Sequence, residues 1–180
     1  HTNKKNEADN ITEQYCQIYD EISSKNLDCN ISVKPTHIGL DVNLNTYYTN
    51  IEKLLSKAID TNNFLRLDME SSLITTATLS TIKKYNDSIE NIGTVTQAYL
   101  YRTKDDIKEL NNIHSNIRLC KGIYKEKPDI AIQNKDDINN NYIELLIQMF
   151  SQGSFAAIAT HDTKLIDRCY KIIYHRSSCK

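Results

Sequence analysis

The fold is decided by residues 93–120, which read GTVTQAYLYRTKDDIKELNNIHSNIRLC. Two short apolar runs, Gly93–Gln97 and Ile117–Cys120, enclose a stretch with helical spacing over 103–111. The segment Thr103-Lys-Asp-Asp106 resembles a helix N-terminus, with an N-cap threonine and acids in the first turn. The pattern therefore predicts a strand, a helix and a second strand in succession.

The same alternation extends to both sides of this stretch. Residues 46–59 place apolar side chains three and four apart, which is the stripe of an amphipathic helix. Gly153 stands where a glycine is expected just after a helix. Strands are predicted at 30–34, 64–68, 93–97, 117–120 and 155–159, and helices at about 10–24, 46–61, 73–86, 103–111, 136–151 and 163–174.

Strands that alternate with helices predict right-handed crossovers and a parallel sheet, either doubly wound or closed into a barrel. No glycine-rich phosphate-binding motif follows any predicted strand, which disfavours a nucleotide-binding open sheet. The chain has 180 residues, of which 39% are hydrophobic and 25% are charged. We therefore expect one α/β domain over 1–180 with a buried core.

Composition disfavours several classes of protein. The net charge of −1 offers no electrostatic attraction to nucleic acid or to an anionic membrane surface. The five cysteines are odd in number and lack C-x-x-C spacing, which disfavours both a zinc site and a disulfide framework. A reducing, cytoplasmic compartment fits them best. No apolar run is long enough for a transmembrane segment, and no signal peptide is recognisable.

Polar side chains follow almost every predicted strand. In parallel β/α folds the carboxyl ends of the strands form the floor of the active site. Any one of these residues is explained equally well by the chain leaving the core, but all five strand ends together favour a ligand site. The residues are Lys34, Asp68 with Glu70, Gln97, Arg118 with Lys121, and His161 with Asp162.

The first two strand ends allow two interpretations each. Lys34 would leave an apolar strand and bind an anion, or form a salt bridge to Asp68. Asp68 and Glu70 lie two apart on one face, which suits acid–base chemistry or a metal. The alternative, which we prefer for Glu70, is that Asp68 orients Lys34 or Arg118 while Glu70 caps the next helix.

The later strand ends suit an anionic, ring-containing ligand. Arg118 and Lys121 are two cations three apart, and the glycine that follows permits close approach of backbone. Ion pairing is the disfavoured alternative, because the acids of this segment all lie downstream. Lys121 is also a candidate Schiff-base lysine. Gln97 suits the edge of a heteroaromatic ring, whereas Tyr99 and Tyr101 are expected to pack. His161 contacts a ligand or lies beside an N-cap formed by Asp162.

Taken in order, the segments resemble the proline dehydrogenase family, in its monofunctional bacterial form. Five motifs in one order are far more specific than any single motif. The motifs are Ile31–Asp41, Arg66–Ser72, Thr96–Arg102, Arg118–Tyr124 and Ala157–Asp162.

The resemblance implies a distorted, TIM-like β/α barrel that binds FAD and oxidises L-proline to 1-pyrroline-5-carboxylate by hydride transfer to flavin N5. It implies about five of eight β/α units, with the first strand and the last two absent. The family also implies a quinone-type electron acceptor. It implies a cytoplasmic protein or, as an alternative, one bound peripherally at the inner face of the membrane.

The resemblance also implies roles for individual residues. The catalytic residues are Arg118 and Asp68; the substrate residues are Lys34, Asp68 and Tyr124; and the cofactor residues are Gln97, Arg118, Cys120, Lys121, Lys135 and His161.

The chain also departs from the family pattern. Pro35 replaces the usual leucine after Lys34, and Ser71 replaces the usual aspartate. The paired arginines that clamp the proline carboxylate in the family would lie in the absent part. We therefore expect the isolated 180-residue chain to be inactive. The alternatives are a Schiff-base aldolase barrel that uses Lys121 and a non-catalytic remnant.

Overall fold

A computed structural model describes residues 2–86, 89–151 and 154–177 of the chain. Strands and helices alternate as predicted, and most boundaries agree within two residues. The strands are β1 (Ile31–Val33), β2 (Leu65–Leu67), β3 (Ile92–Gln97), β4 (Asn116–Cys120) and β5 (Ala156–Ile158). The α-helices are α1 (Lys5–Ser24), α2 (Leu44–Asp60), α3 (Ser72–Asn86), α4 (Thr103–Asn112), α5 (Lys135–Ser151) and α6 (Thr163–Ser177).

All five strands form one parallel sheet in the order β1-β2-β3-β4-β5. A doubly wound sheet reverses its strand order at a switch point, whereas a barrel adds each strand beside the last. The sequential order therefore confirms the barrel-type interpretation. Within the described residues, β1 and β5 are the edges of the sheet.

The two faces of the sheet differ in chemistry. Alternate residues of β1 to β4, such as Val33, Leu67 and Leu119, are buried against the helices, whereas the residues of β5 are partly buried. The apolar stripe of α2 is buried as well, with Ile51 and Leu54 inaccessible to solvent. The opposite, concave face carries polar side chains, which are Ser32, Arg66, Asp68, Gln97, Asn116 and Arg118.

The sheet is strongly curved. Neighbouring strands lie about 4.8 Å apart, so β1 and β4 would be about 14 Å apart in a flat sheet. Yet Arg118 of β4 donates a hydrogen bond of 2.9 Å to Ser32 of β1. The concave face is therefore the inner wall of a partial barrel.

The chain before and after β1 differs from the prediction. Helix α1 begins at Lys5, and the residues before it are held by Thr2, which donates two hydrogen bonds to the Thr36 carbonyl. A 3₁₀ helix that was not predicted spans Pro35–Ile38. Pro35 occupies its first position, where a missing N–H costs nothing. The departure from the family pattern at Pro35 thus falls outside the strand ladder.

Of two predicted helix ends, the start of α4 differs from the prediction and the end of α5 cannot be compared with it. Helix α4 has Arg102, not Thr103, as its N-cap residue, so the predicted capping role of Thr103 is wrong. The Thr103 hydroxyl instead donates to the Gln97 carbonyl at 2.6 Å. The acids Asp105 and Asp106 do lie in the first turn as predicted. Gly153, the predicted residue after α5, lies outside the described residues.

None of the helices in the described part of the chain is long and apolar enough to cross a membrane.

Candidate functional site

The carboxyl ends of the five strands meet at one mouth, as parallel pairing requires. The loops that follow them are tied to one another. The Gln97 side-chain amide donates to the Glu70 carbonyl at 2.8 Å, which joins the third strand end to the second. The backbone N–H of Tyr99 donates to the Lys121 carbonyl at 2.8 Å and joins the third to the fourth.

Ser32, Asp68 and Arg118 form one network on the concave face. Arg118 Nη2 donates to Asp68 Oδ1 and to Ser32 Oγ, and Ser32 Oγ donates to Asp68 Oδ1 at 2.6 Å. Asp68 thus orients Arg118, one of the two partners predicted for it. The predicted alternative of a Lys34–Asp68 salt bridge is wrong. Lys34 is exposed and has no ion pair among the described residues.

Arg66 lies beneath this network and was missed by the sequence analysis. Only 6% of it is exposed. Its guanidinium donates to the Thr94 carbonyl at 3.1 Å and to Asn116 Oδ1 at 2.8 Å. Burial and, to a lesser extent, the positive charge of Arg118 together lower the pKa of Arg66 to about 10, against the opposing effect of Asp68. The signal that could have revealed it is a charged residue in the middle of an apolar strand, two positions before Asp68.

Gly93 makes room for the Phe64 ring and for the close approach of Asn116 on the neighbouring strand. A Cβ at Gly93 would lie 2.5 Å from the Asn116 carbonyl oxygen and 2.7 Å from the Phe64 ring. The Arg66 guanidinium lies over that ring, 5.0 Å from its centroid. The inner wall is therefore filled by polar and aromatic groups at the level below Asp68 and Arg118.

Glu70 does not cap α3, so the preferred prediction for it is wrong. It is 2% exposed and accepts from the Thr36 N–H at 3.0 Å and the Thr36 hydroxyl at 2.8 Å. The 3₁₀ helix, unseen in the sequence, supplies these donors. Helix α3 is capped instead by Glu126, which accepts from the Ser72 N–H and hydroxyl, both at 2.7 Å.

Lys121 forms an ion pair with Asp162 at 2.6 Å. Asp162 Oδ1 also accepts from the Leu165 N–H at 3.2 Å, which confirms its predicted N-cap of α6. The Lys121 hydrogen bond, then that of Leu165, lowers the pKa of Asp162 to about 2. Ion pairing was disfavoured for Arg118 and Lys121, and this was wrong, because the acids come from other strands.

The residues around Gly122 pack closely. Gly122 has a φ of +113°, and a Cβ there would collide with the Tyr99 ring. The glycine therefore leaves room for the Tyr99 ring, and it also lines the cavities described below, where the predicted close approach of a cofactor stays a prediction. Burial raises the pKa of Tyr99 to about 12 and that of Cys120 to about 11. The prediction that Tyr99 packs is confirmed, and Cys120 is a neutral thiol that donates to the Thr96 carbonyl at 3.4 Å.

A cavity of about 780 Å³ opens beside these groups, between the loop after β4, the first turn of α5 and the residues that precede α6. Its polar lining consists mainly of basic side chains, together with Tyr124 and two carboxylates. The basic side chains are Lys121, Lys125, Lys135 and His161, and the carboxylates are Glu126 and Asp162. The predicted cofactor residues Lys121, Lys135 and His161 therefore share one cavity.

A neighbouring cavity of about 340 Å³ also contains Lys121 and His161 in its wall, and adds Gln97 and Cys120. Within the described parts of the chain, Asp68 and Arg118 line neither of these two cavities. They lie on the concave wall beside them.

The fold and this mouth define a β/α-barrel protein with a basic ligand cavity at the carboxyl ends of its strands. Comparison with known proteins identifies the family. The proline dehydrogenase family model matches residues 1–179, and the chain belongs to that family.

Curated relatives agree with this assignment. The chain is 36% identical to proline dehydrogenase 2 of Bacillus subtilis (strain 168) over 156 residues, which is 87% of this chain and 52% of the relative. It is 36% identical to proline dehydrogenase of Deinococcus radiodurans over 121 residues, which is 66% of this chain and 39% of the relative. The chain thus spans about half the length, or less, of these relatives.

Solved structures agree in fold. Proline utilization A from Bdellovibrio bacteriovorus, inactivated by N-propargylglycine, superposes with a TM-score of 0.82 at 18% identity. The match covers 94% of this chain and 22% of that one. A mutant of proline utilization A from Bradyrhizobium japonicum superposes with a TM-score of 0.81 at 15% identity, over 93% of this chain and 21% of that one.

Proposed function

We propose that the full-length protein oxidises L-proline to 1-pyrroline-5-carboxylate with FAD. Membership of the proline dehydrogenase family supports the substrate and the reaction class. The observation that carries the proposal is the place of Arg118. It reaches across the concave wall to Asp68, at the mouth where the basic cavity opens, and 33% of its side chain stays exposed to a ligand.

The residues present fit FAD. Its diphosphate is anionic, and three lysines and His161 line one cavity of about 780 Å³. The two acids of that cavity are already bound by the protein, Glu126 by Ser72 and Asp162 by Lys121. Lys121, Lys125 and Lys135 would hold the polar part of the cofactor, and Gln97 lines the adjoining cavity, where the ring edge would lie. When bound, FAD supplies the two-electron acceptor that the oxidation of a C–N bond requires.

The chain's own groups bind and orient the reactants. The exposed ammonium of Lys34 attracts the proline carboxylate, because it has no competing acid among the described residues. Tyr124 borders the cavity and excludes water from one side of the substrate. Asp68 holds the Arg118 guanidinium in place. A positive charge fixed there stabilises negative charge on a reduced ring.

The ion pair of Lys121 weighs against the aldolase alternative. A Schiff-base lysine must reach its neutral form to attack a carbonyl. Its nitrogen must also be free to approach that carbonyl, whereas the Lys121 Nζ is held in an ion pair with Asp162 at 2.6 Å. A quinone-type acceptor and a peripheral position at the inner face of the membrane remain part of the proposal by family resemblance.

The test is purification of the full-length protein, followed by an absorbance scan and a dye-coupled proline oxidation assay. We expect flavin bands, bleaching of those bands by L-proline, and dye reduction. D-proline serves as the matched control for the substrate. A protein that shows no flavin bands after incubation with FAD, or whose bands L-proline leaves unchanged, contradicts the proposal. Borohydride trapping on Lys121 would then support the aldolase alternative.

A further inference from the structure

Ser32 occupies the middle of β1 on the concave face, in register with Arg66. Its hydroxyl donates to Asp68 Oδ1 at 2.6 Å and accepts from Arg118 Nη2 at 2.9 Å. Since Arg118 Nη2 also donates to Asp68 Oδ1, the three side chains close a triangle. The triangle joins β1, β2 and β4 across the curvature of the sheet.

The triangle engages one edge of the guanidinium. In the described ranges, Arg118 bonds through Nη2, and neither Nε nor Nη1 has a hydrogen-bond partner. Likewise Asp68 accepts through Oδ1, while Oδ2 takes no bond from the described residues. The remaining edge of Arg118 is thus left for a ligand.

A hydroxyl is suited to this place because it donates and accepts at once. A guanidinium held by a single contact to one carboxylate oxygen can rotate about that contact. The second contact, to Ser32 Oγ, removes this freedom and determines which edge of Arg118 faces the mouth. Alanine would leave the Arg118–Asp68 ion pair but not its orientation.

We infer that Ser32 is a positioning residue, which orients Arg118 so that its remaining N–H edge faces the bound flavin. The inference rests on the proposed function, because it requires a flavin beside Arg118. Ser32 itself acts through Arg118 and contacts no reacting atom.

The experiment compares Ser32→Ala and Ser32→Thr in the full-length protein, each with native Arg118 and with Arg118→Met. Flavin content, the midpoint potential of the flavin and its rate of reduction by proline are measured. With native Arg118, Ser32→Ala should slow reduction about 3- to 30-fold and make the potential more negative at unchanged flavin content. Ser32→Thr, which keeps the hydroxyl, should restore most of the rate. In the Arg118→Met protein, Ser32→Ala should add less than about a twofold loss.

A matched control is Thr96→Val, which removes a buried hydroxyl from the helix-covered face of β3. It should change neither the potential nor the rate. Equal losses from Ser32→Ala with native Arg118 and with Arg118→Met would show a merely structural role and overturn the inference. An unchanged rate and potential in Ser32→Ala would overturn it as well. A wild-type protein without flavin or proline oxidation overturns the proposed function itself, and the inference falls with it, so the wild type separates the two failures.

Discussion

The two faces of the sheet are built from alternate residues of the same five strands, yet they use opposite chemistry. On the outer face, Leu67 and Leu119 are fully buried under helices. One residue away on each strand, Asp68 and Arg118 pair on the concave face and keep a quarter to a third of their side chains exposed. Position along a strand therefore separates residues that pack under the helices from residues that line the candidate site.

The energetics of the two faces differ for the same reason. Burying a leucine side chain contributes about 1.5–3 kcal/mol by removing apolar area from water. A partly exposed ion pair contributes about 0–1 kcal/mol, because solvent screens it and desolvation opposes it. We therefore expect substitutions of the partly exposed Asp68 and Arg118 to affect the proposed reaction more than the stability of the fold.

The largest expected effect concerns closure of the barrel, on which the concave face as a whole depends. A polypeptide of residues 1–180 alone should not turn over proline, because β1 and β5 pair on one side only within the described residues. Their unpaired edges favour association. The measurement is dye-coupled proline oxidation by this polypeptide beside the full-length protein. Comparable activity in both would contradict the expectation that a closed barrel is needed.

The next largest effect is on the outer face. Leu67→Ala should lower the free energy of unfolding of the full-length protein by about 2–5 kcal/mol, because it leaves a cavity under the helices. Arg118→Met, on the other face, should change it by less than about 1 kcal/mol. Urea unfolding of both variants measures the contrast. If Arg118→Met were as destabilising as Leu67→Ala, the separation of the two faces would be wrong.

Arg118→Met should affect the reaction instead. Loss of a charged hydrogen bond that strengthens as the flavin is reduced should slow reduction by proline about 10- to 100-fold and lower the flavin potential. Stopped-flow absorbance gives the rate. Leu67→Ala, assayed under conditions where it stays folded, is the control. A rate that Arg118→Met leaves unchanged would refute the role of Arg118.

A smaller effect is expected from Lys34, the exposed residue directly after β1. Lys34→Ala should weaken proline binding about 2- to 5-fold, since an exposed ion pair contributes up to about 1 kcal/mol. Flavin content should stay normal, because Lys34 lies outside the basic cavity. A titration of the oxidised flavin with a proline analogue measures the affinity. Loss of FAD with unchanged affinity for the analogue would reverse the assignment.

Much of the fold was predictable because periodicity marks buried faces locally. Helix α2 and strands β3 and β4 were located by spacing alone. The 3₁₀ helix at Pro35–Ile38 was not, because a single short turn carries no apolar period. Its absence from the prediction led directly to the error for Glu70, whose donors come from Thr36.

The site was predictable in its membership but not in its pairing. Parallel strands must bring Asp68, Arg118 and Lys121 to one edge, whichever residues they contact. Which acid meets which cation depends on the curvature of the sheet, and no local pattern encodes that. Ser32 was overlooked because one hydroxyl in an apolar strand resembles ordinary strand composition. Its role becomes visible only in the structure, where Arg118 reaches it across the two intervening strands.

The smallest expected effect is a pH dependence at the edge of the mouth. The pKa of Asp162 is lowered to about 2 by Lys121 and the Leu165 N–H, from an ordinary value of 3.8. A carboxyl whose pKa is lower in the folded state binds fewer protons there than in the unfolded chain. Its contribution to stability is therefore full above about pH 4 and is lost as the pH falls towards 2.

Asp162→Asn tests this contribution, because asparagine retains an N-cap oxygen but has no charge for Lys121. Urea unfolding of the full-length protein at several values between pH 2 and pH 6 should show a shallower acid loss in the variant than in the wild type. Asp105→Asn, in the first turn of α4, is the matched control, since it changes an exposed first-turn acid outside the mouth. Parallel acid curves for wild type and Asp162→Asn would show that the Lys121–Asp162 pair does not stabilise this end of the sheet.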